Sequence, residues 1–273
     1  MKTIAVINQK GGVAKTTTSH NLAVGLALQG HRVLAVDLDP QANLTLLLGV
    51  DSADVEVEGT VATLFRDGAR IQNILVDTVE AGVTLLPASI ELAAAVENLY
   101  SVLRRETKLK KALSFVEERF DYVVMDCGPN LGVLSVNAIV AADGILVPAQ
   151  LSRLSLRGLH DLLMTVAEVR EGEPAYDLRV VLTRVKGAAK QRQEAAWQLL
   201  EPVKERILET QIRESEAVEK SQMEENGTPA VVKDRPSSNR AAQDYQALVR
   251  EIRTIWPMSS SGTTSESYRV ANG

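Results

Sequence analysis

Short apolar runs and helical periodicities alternate along almost the whole chain. Thr3–Ile7, His31–Val36, Gly82–Ala88, Asp121–Asp126, Asp143–Gln150 and Leu178–Arg184 read as buried strands rich in Val, Ile and Leu. Between them, Thr17–Leu28, Thr60–Phe65, Glu91–Phe120 and Leu154–Arg170 repeat apolar residues at three- and four-residue steps, which predicts helices. A helix containing Ala195–Trp197, a strand ending Thr210–Arg213 and a helix over Asn239–Ile255 complete the series. This alternation predicts an α/β fold with a single doubly wound, mostly parallel sheet and helices on both faces. Pro257 ends the last helix, and the Ser/Thr/Gly-rich residues beyond it read as a disordered polar tail. The division is therefore one domain over 1–256 and a tail over 257–273.

The first strand runs into Gln9-Lys10-Gly11-Gly12-Val13-Ala14-Lys15-Thr16-Thr17, which opens the first helix. A strand, a glycine turn and a helix N-terminus in this order form an anion site, because backbone N–H groups converge and the helix dipole adds about half a positive charge. Lys15 is placed to supply a full charge to the β- and γ-phosphates, and the Thr16 hydroxyl to ligate Mg²⁺. The common phosphate-loop pattern G-x-x-x-x-G-K-[ST] fails at both glycines, where Gln9 and Ala14 stand. If position 14 needs a positive φ, alanine there costs about 1 kcal/mol relative to glycine; a right-handed helical value makes the change harmless.

What fits is K-G-G-x-x-K-T-[TS], with an extra lysine, Lys10, five residues before Lys15. This segment resembles the ParA/MinD group of deviant Walker ATPases, a P-loop NTPase family, and the resemblance runs from about Met1 to Ile255. It implies ATP and Mg²⁺ as cofactors and Lys10 to Thr17, Val13 and Ala14 included, as nucleotide-binding. It also implies that Lys10 reaches the phosphates of a second subunit in an ATP-dependent homodimer. Asp37-Leu38-Asp39-Pro40-Gln41-Ala42-Asn43 resembles the family's V-D-x-D-P-Q-x-N segment. The resemblance gives Asp39 the attacking water, beside Lys10 and Lys15 as catalytic residues, and has Asp37 support the Mg²⁺ shell through Thr16. A simpler role for Asp39 is to cap the next helix. Asp126 closes an apolar strand as the expected Walker B carboxylate, a direct or water-mediated Mg²⁺ ligand. Cys127-Gly128-Pro129-Asn130-Leu131-Gly132 resembles the D-x-P-P-S-L-G switch segment, but Gly128 replaces a proline and Asn130 a serine. Thr183 and Arg184 end the strand that approaches adenine in the family.

Composition narrows the partners. The chain has 273 residues, 45% hydrophobic, enough for one large domain, and 30 basic against 35 acidic residues give a net charge of −5. No global basic field advertises nucleic acid, so DNA contact needs a local patch. Lys186, Lys190, Arg192 and Arg213 flank the last two strands, where the resemblance places the DNA-facing side. The cluster Arg104, Arg105, Lys108, Lys110 and Lys111 reads as a solvated helix face. Cys127 is the single cysteine, which excludes a disulfide framework and a cysteine metal site within one chain. The chain enters a strand almost at once, so a signal sequence and an N-terminal helix-turn-helix domain are not expected. No apolar run approaches ~20 residues, and no basic amphipathic helix ends the chain, so no membrane partner is expected.

The leading expectation is a slow ParA-type partition or positioning ATPase, cytoplasmic and nucleoid-associated. It would bind double-stranded DNA without sequence preference and respond to a ParB-like stimulating protein. Two other classes remain open: a MinD-like switch on a protein or membrane surface, and a metabolic P-loop ligase.

Overall fold

In the computed structural model all residues are described except 52–54, 56–58, 68–69, 100–101, 152, 172–175, 186–199, 217, 219–229, 236–238 and 259–273. The expected helix around Ala195–Trp197, the cations Lys186, Lys190 and Arg192, and nearly all of the tail lie outside the described residues.

Eight strands form one sheet in the order β3-β4-β2-β5-β1-β6-β7-β8. They are β1 (Lys2–Val6), β2 (Val33–Leu38), β3 (Val76–Asp77), β4 (Val83–Leu86), β5 (Tyr122–Cys127), β6 (Gly144–Ala149), β7 (Asp177–Val185) and β8 (Ile207–Arg213). All neighbours are parallel except β3, a two-residue edge strand antiparallel to β4 that the sequence pattern does not reveal. The central strands β2, β5 and β6 are buried at every position, which is why they read as continuous apolar runs and not as alternations.

Alternate side chains of β2 enter two cores. Leu34, Val36 and Leu38 face one side with α3 (Val61–Asp67), α4 (Glu91–Leu99), α5 (Lys108–Ser114), α6 (Val133–Ala141) and α7 (Arg153–Val169). Val33 and Ala35 face the other, where α1 (Lys15–Leu28) brings Leu22 and Leu26 and the C-terminal helix α8 (Arg240–Ile255) brings Leu248 and Ile252. A short helix, α2 (Asn43–Leu47), follows β2. The doubly wound architecture expected from the alternation is therefore present.

One expectation is corrected. Glu91–Phe120 is not a single helix: α4 stops at Leu99, Arg104 takes φ 56°, and a 3₁₀ turn at Arg105–Thr107 leads into α5. A long-range contact sets the break, since buried Asn137 of α6 accepts from Leu109 N at 3.1 Å and donates to Arg105 O at 2.9 Å. Leu103, which fits the helical pattern, is 92% exposed. At the opposite margin β8 pairs with β7 through two register shifts. Its outward N–H groups are covered by α8: Glu251 accepts from Glu209 N at 2.8 Å and Thr210 N at 3.0 Å, and Asp244 from Arg213 N at 2.9 Å.

Candidate nucleotide site

Register decides which residues meet at the carboxyl edge of the sheet. Asp126 of β5 is level with Val6 of β1 on one side and Asp37 of β2 on the other. The two acids therefore close adjacent strands directly beneath the loop that leaves β1, the edge where open α/β sheets bind ligands.

The loop is held by its carbonyls. Gln150 Nε2 donates to Gly12 O at 2.9 Å, Arg184 Nη1 to the same oxygen at 3.4 Å, Thr183 Oγ1 to Val13 O at 3.0 Å and Lys15 Nζ to Lys10 O at 3.2 Å. Asn8 Oδ1 takes the Lys10 N–H at 2.9 Å while its amide donates to Pro148 O at 2.8 Å. Gly12 has φ +74°, although a Cβ there would meet no atom within 4 Å. Ala14 has φ 65° and ψ 35°, so the positive value that the sequence left open is present, at a cost of about 1 kcal/mol for an L-residue. Helix α1 begins at once, with no side-chain cap and no acid in its first turn. The positive end of its dipole is thus not offset by an acidic side chain in the first turn.

A cavity of about 490 Å³ opens over this loop. Gly11, Gly12, Ala14, Lys15, Thr16 and Thr17 form its floor, Asp39 and Asn43 one wall, and Arg184, Arg213 to Ser215, Val218 and Tyr245 the far end. Lys15 is 8% exposed; burial lowers its pKa, and the charges of Asp126 and Asp39 oppose that shift. Asp126 is fully buried, and burial, reinforced by the Asp37 charge, raises its pKa against the hydroxyls of Thr16 and Ser19. Ser19 donates to its Oδ1 at 2.8 Å, whereas its Oδ2 is buried without a hydrogen-bond partner. An orphaned carboxylate oxygen beside a threonine hydroxyl fits a divalent cation.

Three assignments shift. The acid beside the Thr16 hydroxyl is Asp126. Asp37 instead spends Oδ1 on Asp39 N at 3.0 Å and Oδ2 on Thr45 N and Oγ1 at 2.9 and 2.8 Å. Burial raises the Asp37 pKa too. Thr183, expected at the adenine, is 1% exposed and bonded to the loop from below. Arg213 lines the cavity, but its guanidinium is bound to Asp244, with Nε at 2.9 Å from Oδ2 and Nη2 at 2.6 Å from Oδ1. That pairing raises its pKa and neutralises a cation expected to face DNA. Asp39 lines the cavity and accepts from Gln41 N at 3.0 Å, but it does not cap the next helix, whose N-cap is Ala42 with no side-chain bond.

A family model described as an AAA domain matches residues 1–179. The sporulation initiation inhibitor protein Soj of Bacillus subtilis is 39% identical over 257 residues, spanning 92% of this chain and 98% of Soj. The chain belongs to the ParA-type deviant Walker ATPases. The chromosome partitioning protein ParA of Myxococcus xanthus is 34% identical over 91% of this chain and 87% of its own length. Among solved structures, cobyrinic acid a,c-diamide synthase from Mycobacterium smegmatis, with a bound ATP analogue and magnesium, superposes with a TM-score of 0.77 at 31% identity, covering 95% of this chain and all of that one. As a ParA-type ATPase, this protein is a P-loop nucleotide hydrolase.

Residues that sequence reasoning missed are those acting through neighbours. Gln150 carries a weak signal, a polar residue ending an apolar strand. Ser19, Thr45 and Tyr245 carry none, because a polar residue inside a helical pattern is ordinary.

Proposed function

We propose that this protein is a ParA-type partition or cargo-positioning ATPase that dimerises on ATP, binds duplex DNA without sequence preference and is released when a ParB-like partner stimulates hydrolysis. One observation supports the dimer: Lys10 stands five residues before Lys15 in the K-G-G-x-x-K-T pattern, and its carbonyl anchors Lys15 Nζ at 3.2 Å. In this reading the extra lysine serves the phosphates of a second subunit.

Bound Mg²⁺ would supply Lewis-acid stabilisation of the β- and γ-phosphate oxygens, held by Thr16 and Asp126. The chain's own residues supply the rest. Loop N–H groups and Lys15 orient the triphosphate and stabilise charge, and Asp39 orients the attacking water from the cavity wall. In this reading Asp39 acts by positioning, which suits a slow switch.

The solved neighbour named as a cobyrinic acid synthase keeps the ligase reading in view. Near-complete coverage of Soj at 39% identity favours the partition reading. Mobility-shift titrations with duplex DNA decide between them. ATP-dependent binding that weakens steeply with salt is expected, because each phosphate contact contributes about 0.9 to the salt slope and pairing doubles the contacts. Binding should be lost in Lys10→Ala, and on reversing Lys186, Lys190 and Arg192 together. No binding with ATP at low salt, or equal binding without Lys10, would eliminate the DNA-carrier reading.

A further inference from the structure

Thr45 of α2 is fully buried, and its hydroxyl has two partners with a fixed direction. The backbone N–H of Ala88, just beyond β4, donates to Thr45 Oγ1 at 3.0 Å. That bond occupies a lone pair and leaves the hydroxyl proton for Asp37 Oδ2, 2.8 Å away. Thr45 N–H reaches the same oxygen at 2.9 Å. The other oxygen of Asp37 accepts the Asp39 N–H at 3.0 Å. Asp37 is 0% exposed, so these donors, and no bulk water, fix the plane of its carboxylate.

A continuous hydrogen-bonded path therefore runs from the end of β4 through Thr45 and Asp37 to the backbone of Asp39. The Asp39 carboxylate lies close against Gly128, where an added Cβ would come within 3.3 Å of Asp39 Cγ and glycine leaves it room. The Asp39 side chain is thus placed by its own backbone mount, beside the segment that follows β5.

We propose that Thr45 is a positioning residue for ATP hydrolysis, acting through Asp37 on the placement of Asp39. The proposal rests on Asp39 orienting the attacking water. Thr45→Val keeps shape and β-branching but removes the donor to Asp37 and the acceptor for Ala88 N–H. The Asp37 carboxylate then loses one of the two donors that hold Oδ2 and is free to rotate, carrying the Asp39 N–H with it. Misplacement of a positioning group by less than 1 Å lowers turnover far more than nucleotide affinity. Thr45→Ser keeps the hydroxyl and its direction.

The test measures steady-state phosphate release, equilibrium binding of a fluorescent ATP analogue and thermal melting for wild type, Thr45→Val, Thr45→Ser and Asp39→Ala. For Thr45→Val we expect kcat to fall roughly tenfold with analogue affinity within about twofold of wild type, and Thr45→Ser to recover at least about half of the lost turnover. If the valine variant fails to melt cooperatively, Thr45→Ala carries the same comparison. Wild-type turnover in Thr45→Val overturns the proposal, as does a parallel loss of binding and turnover that serine does not rescue. Asp39→Ala separates the two levels of inference. If it is inactive while Thr45→Val is normal, the Thr45 role alone falls; if it is fully active, the water-orienting role of Asp39 falls as well.

Discussion

At the loop end of the cavity, charges are buried and held largely by nearby chain: Lys15 by the Lys10 carbonyl and Asp37 by two N–H groups and the Thr45 hydroxyl. At the far end, Arg213 is 41% exposed and partnered by a side chain, Asp244, on a helix some 30 residues further along. The first arrangement is local in sequence, so a motif specifies it. The second joins β8 to α8, and a change in either element rewrites it. The same contrast appears in the sheet, where β1, β2 and β5 pair in unbroken register while β7 and β8 slip twice. The match to the AAA-domain model stops at residue 179, early in β7. A phosphate loop tolerates little variation in geometry, whereas an ion pair between two elements such as β8 and α8 can be replaced by many side-chain sets.

The strongest way to break this comparison is Lys15→Ala. A charge-assisted bond to a phosphate in a buried site is worth about 3 kcal/mol, so ATP affinity measured by calorimetry should fall by at least about 100-fold. Undiminished affinity would mean that the loop does not bind the triphosphate as described.

A second prediction concerns acid. His20 of α1 is 2% exposed, and burial lowers its pKa to about 4, with Glu80 opposing and Lys233 reinforcing the shift. Because the unfolded chain binds a proton near pH 6.5 and the folded chain near pH 4, folding loses stability as pH falls through that window. The loss approaches about 3 kcal/mol. Denaturant midpoints of His20→Gln should show a correspondingly shallower decline between these values, and identical slopes would contradict the assignment. Asp37 and Asp126 have raised pKa values and act in the opposite sense, so the difference between variant and wild type isolates His20.

At the far end, Asp244→Asn should destabilise by about 1–2 kcal/mol, a modest cost because Arg213 keeps access to water. Its effect on ATP affinity should be small beside that of Lys15→Ala; an equal effect would erase the distinction between the two ends. The smallest change is expected from Ala14→Gly. Relief of the positive-φ strain is offset in part by added freedom in the unfolded chain, leaving a gain of about 0.5 kcal/mol and a rise in Tm of about 1–2 °C.

Much of this protein is legible in its sequence because the relevant physics is local. Runs such as Val33–Leu38 and Tyr122–Cys127 can be buried only as central strands, and Lys10 to Thr17 combine glycine, lysine and hydroxyl in the order that an anion site needs. From these the α/β class, the parallel sheet and the triphosphate end follow. Three features waited for the tertiary structure. The φ of Ala14 depends on how Gln150 and Thr183 hold the adjacent carbonyls, from strands that lie more than 130 residues away. The break between α4 and α5 comes from Asn137, which no helical periodicity encodes. Asp37 and Asp126 look interchangeable as strand-end acids; the hydroxyls of Thr45 and of Thr16 and Ser19 give them different work. Periodicity reports which face of an element is buried, but a hydrogen-bond partner is chosen by what packing brings within 3 Å.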